Sequence, residues 1–174
     1  MFQIASLEKI SEVLSNPTWD ILVLFFFLAT GFFYGVLAGK KKLLSVLFSL
    51  YIAILLLNNF FYLDILAQGK ELRDAFLLKL SAFLIFIILL AILFNKTVFR
   101  GSSKNKKWWQ VFVLSFLEIG LFVSAIFQFL PAKEVFSFSP IVEMLFASEK
   151  SFFWWMVLPL VSLLFILRKK EIRP

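Results

Sequence analysis

Long apolar segments constrain the fold of this chain more than any other feature of its sequence. Four of them are each long enough to cross roughly 30 Å of hydrocarbon as a helix, and a fifth, which contains Pro159, lies near the lower limit. Because a bilayer core offers the backbone no water, such segments cross it as helices. The sequence therefore predicts an all-α, polytopic transmembrane bundle in a single domain, residues 1–174, with about five spans near residues 20–38, 43–62, 76–94, 108–130 and 152–167.

The composition favours a membrane protein and excludes several kinds of chemistry. Hydrophobic residues make up 61% of the chain, above the roughly 45 to 50% of soluble domains. The chain has no His and no Cys, which excludes disulfides, thiolate nucleophiles and the commonest ligands of transition metals. We therefore expect no enzyme activity, no catalytic residue, no metal site and no cofactor. The net charge of +7 would favour nucleic acid in a soluble protein, but these cations lie beside apolar segments, so we expect no nucleic-acid partner.

Lys and Arg residues are distributed unequally between the two sides of the predicted bundle. With five spans, 12 of the 18 lie on the side that holds the C-terminus. Because cytoplasmic loops of membrane proteins are enriched in Lys and Arg, the sequence predicts an outside N-terminus and a cytoplasmic C-terminus. Nine of the 11 acidic residues fall on the outer side, which agrees with this orientation.

The first sixteen residues have the pattern of a short amphipathic helix. Ile4, Leu7, Ile10 and Leu14 recur at helical spacing, so we expect a helix over residues 1–16 that lies in the membrane interface, with a frayed polar tail as the alternative. Acidic residues interrupt this segment, so no cleavable signal peptide is expected and the first span would act as its own insertion signal.

Three glycines recur every fourth residue at the end of the first span. Gly31, Gly35 and Gly39 would lie in one row on a helix, where small residues let another helix approach closely. The run Lys40–Lys42 follows at once and marks where the helix leaves the bilayer. The pattern predicts a tight hairpin between the first and second spans.

Glu118 is the only strongly ionisable residue near the middle of a predicted span. Ser115, Ala125 and Gln128 fall on roughly the same helix face and would form a polar stripe with it. A carboxylate at this depth is costly and persists mainly where it faces protein or water. Two interpretations follow: a site for a proton or cation, or a glutamate that fixes helix register by bonding a neighbouring helix.

Two connecting segments are also candidates for contact with other molecules. The basic loop 96–107 either binds anionic lipid headgroups or serves only to orient the spans. Ser139 and Pro140 would cap a short helix, Ile141 to Phe146, that is interfacial or re-entrant, with a plain loop as the alternative. The lysines assigned to topology and lipid contact are Lys40, Lys41, Lys42, Lys104, Lys106 and Lys107.

Four segments within about residues 17–146 form a pattern together. They are Pro17-Thr18-Trp19-Asp20, the row Gly31, Gly35 and Gly39, the basic turn with Leu43–Leu47, and Ser139-Pro140-Ile141. This pattern resembles the colicin V production protein (CvpA) family, which consists of small proteins of the bacterial inner membrane. Two features differ from the usual pattern: the fourth span here has only Gly120, and many members end without a fifth span.

The resemblance implies a non-enzymatic protein of the bacterial inner membrane that is needed for toxin production or secretion and for envelope homeostasis. The bilayer would be its first partner, and secretion or envelope proteins, or further copies of the chain, are the other partners expected. The alternative function is a small transporter or channel subunit in which Glu118 and its stripe form the pathway.

Overall fold

The structure is a computed structural model that describes residues 18–98 and 108–168, and every regular element in those ranges is a helix. The predicted all-α class is therefore confirmed. The predicted amphipathic helix over residues 1–16 lies outside the described residues. The helices are α1 (Trp19–Ala38), α2 (Lys40–Asn59), α3 (Phe61–Ala67), α4 (Leu72–Thr97), α5 (Trp108–Phe129), α6 (Ala132–Val135), α7 (Pro140–Val142), which continues as a π-helical segment (Glu143–Ala147), and α8 (Glu149–Arg168).

Four of these helices, α1, α2, α4 and α5, are long and apolar enough to cross a membrane. Each has 20 to 26 residues, which at 1.5 Å per residue gives about 30 Å or more of helix. They make this chain a membrane protein with transmembrane helices. The fifth long helix, α8, also has 20 residues but is not among these four.

The two central helices are α2 and α5. About half of each is buried (44% and 56%), compared with 6% of α1 and 11% of α4. α4 packs on α2, α8 packs on α5, and α1 packs mainly on α5. The core therefore lies between α2 and α5, where Leu47, Leu50, Leu114 and Leu121 are almost completely inaccessible.

Small residues lie on the buried face of α2. Ser45, Ser49 and Ala53 recur every fourth residue and are fully buried. The Ser45 hydroxyl donates to the Ala91 carbonyl of α4 over 3.0 Å, and the Ser49 hydroxyl donates to the Ser45 carbonyl over 2.7 Å. Since these hydroxyls are satisfied by backbone oxygens, α2 and α4 can pack closely without leaving a polar group unpaired.

The long helices alternate in direction, which gives the bundle two ends. At the Lys40 end, α1 turns into α2, and Lys40 Nζ donates to Gln110 Oε1 near the start of α5 over 3.4 Å. At the Trp19 end, α1, α4 and α8 begin and α2 and α5 finish. α2 finishes at Asn59, three residues before the predicted end of the second span, because Phe60 leaves the helical conformation and α3 starts a new direction.

Candidate functional site

The glycine row of α1 makes two different kinds of contact. A Cβ placed on Gly35 would lie 2.5 Å from Ser115 Oγ and 2.9 Å from Val111 Cγ1, and one on Gly31 would overlap the end of the Ile119 side chain. All three of these partners belong to α5. The glycines therefore bring α1 mainly against α5, whereas the sequence predicted close packing between α1 and α2. Contact with α2 is present at Gly35, where a Cβ would lie 3.1 Å from Leu43 Cδ1.

Gly39 has a different role from the one predicted for it. It lies between α1 and α2 with a φ of 81°, a conformation that side chains with a Cβ rarely adopt, and a Cβ there would meet no atom within 4 Å. Its amide donates to the Gly35 carbonyl over 2.8 Å. Gly39 thus makes the sharp turn into α2 and is not a helix-packing residue.

Glu118 is buried on α5, with 7% of its surface exposed. Its Oε1 atom and the nearby Ser115 hydroxyl have no hydrogen-bond partner among the described residues. Ala125 is also buried, but Gln128 is exposed, because the end of α5 turns that side chain away from the neighbouring helices. The predicted polar stripe is therefore shorter than expected and ends before Gln128.

Asp20 is the second buried carboxylate of the bundle, with 5% of its surface exposed. Its Oδ2 accepts the backbone N–H of Ser139 over 2.6 Å, which ties the start of α1 to the segment before α7. Asp20 Oδ1 and the Ser139 hydroxyl, both buried, have no hydrogen-bond partner within the described ranges. The sequence predicted Ser139 as a helix cap, but its side chain makes no capping bond, and its backbone makes the contact with Asp20 instead.

Aromatic rings cover this contact at the Trp19 end. The Trp19 ring lies 6.1 Å from that of Phe136 and 5.5 Å from that of Phe138, measured between centroids. Phe138 in turn packs edge to face on Phe127 of α5, at 4.6 Å. Such aromatic pairs add about 0.5–1.5 kcal/mol beyond the area they bury, so they hold the segment before α7 against α1 and α5.

A cleft of about 430 Å³ lies between the Trp19 ends of α1 and α4, and we call it the Trp19 cleft. Side chains of α5, among them Val123 and Ile126, line it together with those of α1 and α4, and residues between Ala132 and Val142 complete it. Asp20 is the one ionisable residue among the side chains that line it. The cleft is therefore almost entirely apolar.

The π-helical segment is held by side chains that bond its last carbonyl groups. These carbonyls have no partner within their own helix, as at any helix C-terminus. They belong to Met144, Leu145, Phe146 and Ala147, and they accept hydrogen bonds from Ser151 Oγ (2.8 Å), Trp155 Nε1 (2.9 Å), Ser124 Oγ (2.9 Å) and Lys133 Nζ (3.3 Å), respectively.

The short helix after Pro140 is therefore docked into the bundle and is more than a loop. Ser124 precedes the end of α5 by more than one turn, so Phe146 reaches roughly 8 Å below the Trp19 end of α5. Val142 and Phe146 are both buried there. The sequence predicted a short helix from Ile141 to Phe146, and a helix is present there, although residues Glu143–Ala147 are π-helical.

The predicted lipid-contacting lysines fall into two groups. Lys40, Lys41 and Lys42 form the first turn of α2 at the Lys40 end. Lys104, Lys106 and Lys107 lie outside the described residues. Within residues 18–98 and 108–168, no three acidic side chains come together in a way that would hold a metal ion.

Comparison with known proteins gives no relative: no family model, curated protein or solved structure matches this chain. The site must therefore be interpreted from its own geometry. Its chemistry consists of two buried carboxylates, Glu118 in the middle of α5 and Asp20 at the Trp19 end, each with one oxygen that has no partner in the described part of the chain.

Sequence reasoning missed three of the residues that build this region. Ser124 and Trp155 were not singled out, because a Ser or a Trp in a span is compatible with many roles. Asp20 was placed among the outer acidic residues and in the segment Pro17-Thr18-Trp19-Asp20 of the resemblance, but no contact with Ser139 was predicted for it. The one sequence signal for the burial of Asp20 is the pair Trp19-Asp20 at the start of an apolar span. A carboxylate at that position needs a hydrogen-bond donor.

Proposed function

We propose that this chain is a non-enzymatic protein of the bacterial inner membrane that acts, like the CvpA family it resembles, in toxin production or secretion and in envelope homeostasis. The hydrogen bond between Asp20 Oδ2 and the Ser139 amide carries the proposal. It joins two of the segments on which the resemblance rests, although they lie 119 residues apart in the sequence. The approach of Gly35 to Leu43 of α2 supports it further, because it joins two more of these segments.

The proposal includes five spans, an outside N-terminus and a cytoplasmic C-terminus. In support of a fifth span, α8 has 20 residues, enough for about 30 Å of helix. It also packs along α5, a membrane-spanning helix. The excess of Lys and Arg on the side that holds the C-terminus supports the orientation. Anionic lipid headgroups would contact the lysines at the start of α2, and partners would be further copies of the chain or secretion and envelope proteins.

Complementation tests this function. The chain is expressed in a colicin V-producing strain that lacks its own CvpA-family protein, and colicin export and resistance to an envelope-disrupting detergent are measured. Wild type should restore both, and Asp20→Ala should not, because it leaves the Ser139 amide without its acceptor. Leu37→Ala is the control, since Leu37 is 82% exposed and lies at the other end of α1. A wild-type chain that inserts at a normal level and restores neither property contradicts the proposal.

The second candidate function is passage of protons or a small cation along Glu118. One observation favours it: Glu118 and Ser115 are three residues apart on α5, and Glu118 Oε1 and the Ser115 hydroxyl are both buried without partners in the described residues. Buried polar groups normally have a partner, so a transported ion or proton would satisfy them. Glu118 lines neither the Trp19 cleft nor the smaller pocket beside Asp64 and Lys79, which is why we rank this function second.

The second function is tested by measuring proton and cation flux into vesicles that contain the reconstituted protein. If it is correct, wild type passes protons or a monovalent cation, and Glu118→Gln abolishes the flux because the neutral amide cannot exchange a proton. Ser81→Ala is the control, since the Ser81 hydroxyl only bonds the Leu77 carbonyl of its own helix. Absence of flux through wild type at a verified level of insertion eliminates this function.

A further inference from the structure

The Trp19 cleft has the size and position of a lipid-binding site. Its volume of about 430 Å³ lies within the range of roughly 300 to 1,000 Å³ found for ligand pockets. α1 lines it from Trp19 to Phe27 and α4 lines it from Phe76 to Leu84, so each helix borders it over about 12 Å. The cleft therefore extends from the membrane boundary into the hydrocarbon layer.

Hydrocarbon is the only solvent available to most of this cleft. Its walls are apolar, and apolar cavities do not hold water, because a bound water needs polar partners. Leu22 and Phe26, on the turns of α1 beside the cleft, are 55% and 69% exposed, as expected for side chains that face lipid. An acyl chain from the surrounding bilayer can enter from this side and restore the dispersion contacts that an empty cleft would lack.

The end of the cleft nearest Trp19 restricts which lipid headgroup can bind there. Asp20 lies there among neutral donors only: the Ser139 amide bonds Oδ2 and the Thr18 and Ser139 hydroxyls lie close to the carboxylate, while Oδ1 makes no hydrogen bond to the described residues. No described cation of this end pairs with Asp20. Lys79 pairs with Asp64 at 2.8 Å, Lys133 bonds the Ala147 carbonyl, and Lys70, Arg73 and Lys150 form no ion pair with Asp20. A buried carboxylate at a membrane boundary is best satisfied by a positively charged donor.

We propose that the Trp19 cleft binds one bilayer phospholipid with a primary-amine headgroup, of the phosphatidylethanolamine class. One acyl chain fills the cleft between α1 and α4, and the headgroup ammonium donates to Asp20 Oδ1 after a small movement of the aromatic rings above it. The lipid completes the packing of α1 at the point where α1 and α4 diverge. This site does not depend on either candidate function.

Native mass spectrometry of the purified full-length chain tests the proposal, with phosphatidylethanolamine and phosphatidylglycerol as the added probes. Wild type should retain one phosphatidylethanolamine with about a tenfold preference, the effect of one charge-assisted hydrogen bond. Asp20→Asn keeps an acceptor for the Ser139 amide but removes the charge, so the preference should fall towards one. Asp64→Asn, which removes a carboxylate outside the cleft, should leave the preference as in wild type.

Two substitutions test whether the acyl chain lies in the cleft. Val23→Trp and Leu84→Trp add bulk from opposite walls at positions that are already 44% and 39% exposed, so both variants should fold. Each should lose at least nine-tenths of the retained lipid, whereas Leu37→Trp, outside the cleft, should retain it. Folded Trp variants that keep the lipid, equal retention of the two lipids by wild type, or a dimer that excludes lipid would each overturn the proposal.

Discussion

Gly35 is a residue at which α1 closely approaches α5. Its missing side chain leaves space that is taken by Ser115 Oγ and by Val111 Cγ1, and Leu43 Cδ1 of α2 lies 3.1 Å from the same point. Gly31, one turn earlier, faces only the end of the Ile119 side chain. The two glycines therefore differ in how far their neighbours can yield, although they share one helix face.

Substitution of these glycines should reveal that difference. Gly35→Ala places a methyl group against a β-branched valine, whose rotamer is nearly fixed in a helix, and should destabilise the protein by about 1–3 kcal/mol, with a larger loss for Gly35→Leu. Gly31→Ala should cost less, because the end of Ile119 can rotate away. Unfolding by SDS titration in mixed micelles measures both, with Leu37→Ala as the exposed control. Equal losses at the two glycines would contradict close packing at Gly35.

The residues of the candidate site were predictable to different degrees. Glu118 stands out in the sequence because it is the one acid far inside a span, and its burial follows from that position. Asp20 does not stand out, since an acid at the first turn of a span is ordinary. Its burial depends on Phe136, Phe138 and Ser139, which follow more than a hundred residues later and fold over it. Contacts between segments so distant in sequence are not encoded in local pattern.

The short elements after α5 act as one docked unit with the first turns of α8. The Trp155 ring stacks on Phe146 at 5.2 Å and bonds the Leu145 carbonyl, and it occupies the space left by Gly120 of α5. A Cβ on Gly120 would overlap this ring. Gly120 and Trp155 therefore form a matched pair that sets the distance between α5 and α8.

A double-mutant cycle tests this pairing. Gly120→Ala should destabilise the protein by about 1–3 kcal/mol because the rigid indole cannot move without moving α8. In a Trp155→Leu background the same change should cost much less, with a coupling of about 0.5–3 kcal/mol. The matched control replaces Trp154, which is 59% exposed, by Leu and should show additivity with Gly120→Ala. Additive losses for Gly120 and Trp155 would show that the two residues do not pack together.

Long elements were easier to predict than short ones. The predicted first, third and fourth spans each lie within the observed helices or extend past them by one residue, because hydrocarbon thickness fixes the length of an apolar helix. The π-helical form of residues 143–147 was not predicted. It depends on side-chain donors from Ser124, Ser151 and Trp155, which no pattern within the segment contains.

At the scale of the whole molecule, the order of packing could not be derived from the sequence. A helix that is apolar on all sides gives no indication of which face is buried, and α1 and α4 are of this kind. Small residues are the available signal, and they identify the contact faces of α1 and α2. They do not identify the partner helix. The sequence predicted that the glycine row packs on α2, but Gly31 and Gly35 lie mainly against α5, and only Gly35 also approaches α2, at Leu43.

Whether α8 crosses the membrane decides the topology of the whole chain. Its seventh residue, Trp155, lies beside Gly120 in the middle of α5, and the Tyr51 hydroxyl of α2 donates to the Met156 carbonyl. α8 therefore enters the bundle from the Trp19 end and runs antiparallel to α5. Pro159 has no amide hydrogen to donate to the Trp155 carbonyl, but the helix continues past it to Arg168. A helix of this length packed on α5 should cross to the Lys40 end.

Single cysteines should report this topology directly, because the chain contains none of its own. With an impermeant maleimide on intact bacterial cells, we expect labelling at Ser137→Cys, and at Ser103→Cys and Arg173→Cys only after permeabilisation. The physical reason is the positive charge around residues 103 and 173, which retains both segments in the cytoplasm. Labelling of Ser137→Cys and Arg173→Cys from the same side would mean that α8 does not cross and that the chain has four spans. Labelling of Ser103→Cys in intact cells would reverse the orientation.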